Sequence, residues 1–387
     1  MRASRVFLAL LLAASSITIL QAQYFGRNKP NYERFDFKVY QTPHFEIYHY
    51  LKNQEKLAEL AGWSEHWYAL HQNVLKDTIL GLNPLIFYND HADFQQTNAI
   101  SGSVGVGTGG VIEALKNRVI MPLAMSNQQT YHVLGHEMVH AFQYDMILKG
   151  DSTSMRDFAN IPLWMTEGLA EYLSIGSVDP HTAMWMRDAV LHDDVPTIKE
   201  LNNPKYFPYR WGQAFWAFLT GMQGDDVIAP FYVATARFGF EEACKKVLNM
   251  SAADLSKLWV ETIKRHFGQY LGDKKERFAG KALINDKNGG MMNLSPEISP
   301  NGKYVMFLSE RGLFSIDLYV ADARTGEIIR KVASALKDSH IDDYSFIESS
   351  GAWSPDSRQF AFVAVSKGEN ILVIKDALSG KTVRETK

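Results

Sequence analysis

His136, Glu137 and His140 stand in the string HEMVH, spaced H-E-x-x-H. On an α-helix, residues four apart lie one above the other, so both imidazoles can face one metal ion. Glu137 then lies beside them, within reach of a water on that ion. Two imidazoles, a carboxylate base and an open coordination position are what metal-assisted hydrolysis requires. The bland alternative is a helix with two core histidines and an unrelated glutamate.

These residues need a helix to carry them, and Ser126 to Gly150 supplies one. Ser126 or Asn127 suits its N-cap and Gly150 its C-terminal stop. Leu134, Met138, Ala141 and Phe142 recur at helical spacing and face a core. A third ligand is expected from IPLWMTEGLAEYLSIG, Ile161 to Gly176. Pro162 fits the first turn of a second helix and Gly176 its end. Glu167 and Glu171 are four apart and share one face. The chain between His140 and Glu167 is long enough for a loop and an antiparallel return. Leu163, Trp164, Leu169, Ala170, Tyr172 and Leu173 are apolar, which argues against solvated surface glutamates.

HEMVH followed by WMTEGLAEY resembles the gluzincin metallopeptidases, whose third zinc ligand is a glutamate. The resemblance is closest to the peptidase MA-like group, with thermolysin and the aminopeptidase-N-like enzymes more distant. It covers roughly Phe45 to Phe267. It implies one zinc ion per chain, held by His136, His140 and Glu167. It also implies that Glu171 accepts the other ring N–H of a zinc-bound histidine and fixes its orientation. PYRWGQAFWAFL, Pro208 to Leu219, is similar to the P-Y-x-x-G helix start of the aminopeptidase-N-like enzymes. That implies Tyr209 as a hydrogen-bond donor to the oxyanion. Tyr206 competes for this role, and a plain core tyrosine is the other reading. Arg210 stands where the family has an acidic residue and receives no role.

The implied reaction is peptide hydrolysis. Zinc lowers the pKa of a bound water from about 15.7 toward about 7. Glu137 takes the water proton and returns it to the leaving amine. Zinc suits two imidazoles and one carboxylate. Upstream, Arg118 to Leu123 reads as a strand leading to the metal helix. In zincins the strand nearest the cleft pairs with extended substrate. Gly102, Gly105, Gly107, Gly109 and Gly110 precede it and form either a substrate edge or lid, or a plain connection. No G-K-[ST] follows, so this is not a phosphate loop.

The 387 residues are 46 % hydrophobic with a net charge of −3. That suffices for real cores, and with no basic cluster it excludes a nucleic-acid binder. Arg2 and Arg5 followed by an apolar stretch read as a signal peptide over residues 1–22, cut near Ala22. A retained anchor is the alternative. However, Val6 to Leu20 is broken by Ser15, Ser16 and Thr18 and is short of the roughly 20 residues a span needs. The expected location is periplasmic or extracellular, with no stable membrane span after cleavage. No cysteine near the cut offers a site for lipid. The single cysteine, Cys244, makes an internal disulfide impossible and reads as a small buried residue.

His44 to Tyr50 and Pro84 to Asn89 read as strands. Gln54 to Leu80, Arg210 to Gly221, Asp225 to Phe238, Glu241 to Asn249 and Ala252 to Gly268 read as helices. His66, His71, His91, His132, His181 and His192 are read as structural or surface residues. Together these elements suit an α+β zincin-like domain over residues 23–275.

Residues 276–292 read as a linker, and 293–387 as strands and turns that repeat. ISPNGKYVMFLS from Ile298 aligns with WSPDSRQFAFVA from Trp353. DARTGEIIRKV from Asp322 aligns with DALSGKTVRET from Asp376, the offsets being 55 and 54 residues. The pattern resembles TolB-type, WD40-like β-propeller repeats. A closed ring takes at least four blades, so two repeats form an incomplete propeller, to be completed by missing residues or by another chain. The expected whole is a secreted zinc endopeptidase acting on peptides or proteins, with a propeller that captures or gates substrate or binds a protein partner. The alternative is a catalytically silent zincin-like scaffold whose propeller binds protein or glycan partners.

Overall fold

The computed structural model describes residues 31–387 other than 101, 103, 125, 150–151, 272–279, 313–314, 335–337, 339 and 345–349. The leader expected over 1–22 lies outside the described residues, as does the start of the expected linker. Among the described residues no helix is long and apolar enough to cross a membrane.

A mixed five-stranded sheet opens the fold. Its strands are β1 (Lys38–Gln41), β2 (Phe45–His49), β3 (Asn83–Tyr88), β4 (Val111–Glu113) and β5 (Arg118–Pro122), in the order β1-β2-β3-β5-β4. β2, β3 and β5 run parallel, and β1 and β4 are antiparallel edges. A parallel pair needs a long crossover, and helix α1 (Gln54–Leu75) provides it between β2 and β3. α1 stops five residues before Leu80 because Lys76 takes the left-handed conformation, φ 52°.

The two helices that carry the histidines and glutamates follow. α2 (Asn127–Leu148) starts at a capping box between Ser126 and Gln129, which settles Ser126 as the N-cap. It ends at Lys149, also left-handed, one residue before Gly150, which lies outside the described residues. α3 (Leu163–Ile175) has Pro162 at the cap rather than inside the first turn, and Gly176 at φ 88° ends it. α4 (Pro180–Leu191), α5 (Pro208–Gln223), α6 (Ile228–Phe238) and α7 (Ala252–Gly268) complete the helical part. The helix expected over Glu241 to Asn249 is instead a turn of α-helix, Phe240–Ala243, continued by a π-helical turn, Cys244–Leu248.

Trp164, Phe215, Trp216, Phe231 and Trp259 fill the core between the helices. α3 and α5 touch backbone to backbone. A Cβ on Gly212 would collide with the Trp164 carbonyl, and one on Gly168 with Gly212 itself. Cys244 is free and buried, and burial pushes its thiol up to about 12.

The later residues form two antiparallel sheets. The first has β6 (Asn293–Ile298), β7 (Tyr304–Gly312), β8 (Ser315–Asp322) and β9 (Ile328–Ala333) in sequence order. The second orders β10 (Asp343–Tyr344), β12 (Gln359–Ser366), β13 (Glu369–Asp376) and β14 (Thr382–Thr386), with β11 (Ala352–Trp353) also on β12. The sequence repeat is a structural repeat. The hydroxyl of Ser299 donates to Asn301 and accepts from the Tyr304 N–H, and Ser354 does the same with Asp356 and Gln359. Asp322 and Asp376 each take backbone N–H groups of the tight turn that follows. Met306, Leu308, Phe360 and Phe362 share one core between the sheets, and the described residues close no ring.

The second sheet meets the helical part at Gln96, just past the helical turn His91–Phe94. Gly368 comes so near that a Cβ there would lie 2.6 Å from Gln96 Nε2. Gln96 Oε1 accepts the backbone N–H groups of Tyr32 and Glu33 at 2.8 and 3.1 Å.

Candidate metal centre

α2 and α3 lie side by side, and each presents residues four apart to the other. His136 Nε2 and His140 Nε2 are 3.2 Å apart, and each is 3.3 Å from Glu167 Oε2. The three atoms converge on one point and form a group able to hold a metal ion. Two buried imidazole nitrogens and one carboxylate oxygen are a fitting donor set for zinc, with a position left for water.

The electrostatics agree. Burial opposes charge on His136, yet its contacts with Glu167 and Glu171 and the nearby Glu137 raise it to about 10. Burial pushes Glu167 up as well, but His136 and His140 outweigh it and hold the carboxyl well below the usual carboxylate range. Glu171 is held low in the same way, by His132 and His136. The carboxylates thus gather positive charge at the point where a cation would sit.

Glu137 is buried beside this group. Burial raises its carboxyl above the usual range, against the lowering influence of His140 and His136. Its side chain lies against Gly110, and Gly109 lies against Val133. The glycine stretch therefore crosses α2 at Val133 and Glu137. His91 Nε2, 3.2 Å from the Thr108 carbonyl, holds that stretch. The strand expected over Arg118 to Leu123 is β5, but its outer side is already paired with β4. The free edge nearest the site therefore belongs to Val111–Glu113, a correction to the expectation that β5 offers it.

His136 and His140 each have a partner on the other ring nitrogen. His136 Nδ1 is 3.0 Å from Glu171 Oε1, the arrangement expected for Glu171. His140 Nδ1 is 2.7 Å from Gln143 Oε1, and Gln143 Nε2 donates to the Thr166 carbonyl at 2.9 Å. Such partners turn the opposite nitrogens inward and fix the tautomers. No motif marks Gln143, although its position three residues after His140 places it on the same face.

Tyr209 stacks on His136, the ring centroids 5.7 Å apart and the planes 17° from parallel. Burial, then the charge of Glu167, raises its hydroxyl pKa. Tyr206 instead donates to Asp194 at 3.0 Å. Of the two tyrosines, Tyr209 is the one beside the His136, His140 and Glu167 group.

Arg210 and His132 also reach the site. Arg210 Nη1 is 3.2 Å from Glu171 Oε2 and 3.3 Å from Asp179 Oδ2, and His132 Nε2 is 3.3 Å from Glu171 Oε1. By sequence alone Arg210 has no assigned role and His132 counts among the structural or surface residues. The available signal was the spacing of His132, His136 and His140. His71 is structural, as expected, buried with Nε2 3.0 Å from the Gly135 carbonyl.

No family model matches the chain, and no curated protein matches it. Among solved structures, the crystal structure of TolB from Acinetobacter baumannii is similar over 25 % of this chain at 19 % identity, with a TM-score of 0.19. The chain covers 21 % of that protein's length.

Proposed function

We propose that this protein is a zinc-dependent metallopeptidase of the gluzincin kind, a zincin-like domain followed by propeller-type repeats, exported to the periplasm or the extracellular space. One observation carries the reading. His136 Nε2, His140 Nε2 and Glu167 Oε2 converge, with the raised, buried Glu137 carboxyl alongside. A zinc ion held there would supply Lewis acidity toward a water and a peptide carbonyl.

The chain's own residues do the rest. Glu137 takes a proton from the attacking water, and its raised pKa suits it to keep that proton until the leaving amine accepts it. Tyr209, whose raised pKa keeps it protonated, donates to the oxyanion. Glu171 and Gln143 hold the two imidazoles in orientation. The edge of β4 pairs with the backbone of an extended peptide substrate.

The test is to load the purified protein and its Glu137→Ala variant with zinc, expose both to an unbiased peptide library, and read products by mass spectrometry. Cleavage by the wild type alone is expected, with both forms retaining zinc. Silence from both, folded and zinc-bound, would overturn the peptidase reading and favour the scaffold. Equal cleavage would overturn the role of Glu137.

A further inference from the structure

The two metal helices carry a second rung. His132, His136 and His140 follow at intervals of four on α2, and Glu167 and Glu171 do so on the antiparallel α3. His136, His140 and Glu167 make the first rung. One turn away, His132, His136 and Glu171 repeat it, and they too form a group able to hold a metal ion. The shared residue, His136, turns Nε2 to one rung and Nδ1 to the other.

Three polar atoms of the second rung are buried and meet no hydrogen-bond geometry: His132 Nε2, His136 Nδ1 and Glu171 Oε2. Buried polar atoms ordinarily find well-aligned partners; these three have only ion-pair contacts of 3.0 to 3.3 Å, among His132, His136, Glu171 and Arg210, which leaves room for a better-fitting ligand. The cation that stands beside them is Arg210, at the far oxygen of Glu171.

We propose that His132, His136 and Glu171 form a second, weaker site for a zinc-class ion, for which Arg210 competes. The proposal rests on reading the first rung as the zinc centre. Two imidazole nitrogens and a carboxylate oxygen again suit zinc. When both rungs fill, His136 bridges the ions and releases its remaining ring proton to solvent. The guanidinium repels an incoming cation and already engages Glu171, so the second ion binds after the first and less tightly. Its arrival takes Glu171 away from orienting His136, which makes the second ion inhibitory.

Equilibrium dialysis against free zinc, with metal counted per chain, tests this. The wild type should bind one ion tightly and a second weakly. Arg210→Gln should tighten the second at least tenfold, His132→Ala should abolish it alone, and His140→Ala should lose the tight ion. With cobalt in place of zinc, the second equivalent should add its own visible absorption, missing in His132→Ala. Thermal melts establish that each variant is folded. If Arg210→Gln does not fold, the wild type against His132→Ala decides. One ion per chain in wild type up to millimolar zinc, or a second ion that survives His132→Ala, overturns the proposal. A tight ion indifferent to His140→Ala would instead sink the first-rung reading.

Discussion

Gly110 lies against Glu137 so closely that a Cβ on the glycine would sit 2.7 Å from the glutamate Cγ and 2.9 Å from a carboxyl oxygen. The loop backbone thus walls the Glu137 carboxyl directly. Gly110→Ala must push Glu137 aside. Misplacing a reacting group by an ångström costs about 10²-fold in rate. We expect kcat/KM to fall by about that factor while metal content per chain stays unchanged.

Gln143 serves His140 on one side and the Thr166 carbonyl on the other. Gln143→Leu keeps the size and removes both contacts. Loss of such a partner costs about 10- to 100-fold in metal affinity. Chelator competition measures it, and Gln143→Glu, which keeps the acceptor, should recover most of the loss.

Gly212→Ala places a methyl group against the Trp164 carbonyl, where neither helix can yield without the other. Overpacking costs about 1–3 kcal/mol, and contact with backbone puts this site at or above the upper end. Gly221, on the same helix with open space around its Cβ position, is the control. Gly221→Ala should stabilise by up to about 1 kcal/mol through helix propensity. Denaturant midpoints separate the two.

His71 gives a pH dependence with a definite sign. Burial lowers its pKa from 6.5 to about 4, only partly offset by its bond to the Gly135 carbonyl. A folded value below the unfolded one means the unfolded chain takes the proton first. The contribution is therefore complete above pH 6.5 and is lost as pH falls through 4, about 3 kcal/mol at most. Urea midpoints across that window should fall with acidity, and less so in His71→Phe.

Much of this arrangement is legible in sequence because it depends on local periodicity. Ala252 to Gly268 is a helix at those very residues, capped by Ser251 and amphipathic throughout. His136, His140, Glu167 and Glu171 come together because intervals of four on two antiparallel helices leave little choice. What escapes is what depends on distant partners or on shallow burial. β1 is exposed along its whole length, so it carries no alternation to read. α4 buries only Thr182, Met186 and Ala189, too thin a stripe to stand out despite the Asp179 cap. Arg210 and His132 have roles only because Glu171 lies between them, and neither spacing nor composition places a helix start from residue 208 beside α3.

The contact between Gly368 and Gln96 bears on where this chain can be cut. A piece ended after Tyr270 would keep His136, Glu137, His140 and Glu167. It would also strip the cover from Gln96, the side chain that pins the backbone of Tyr32 and Glu33. Phe35 and Phe37, which follow, pack against Tyr50 and Tyr88, one pair stacked and three edge-on, across the sheet from the helices. Trimming the two later sheets therefore loosens the leading edge of the first sheet, and the stretch that folds together is longer than the candidate site residues suggest.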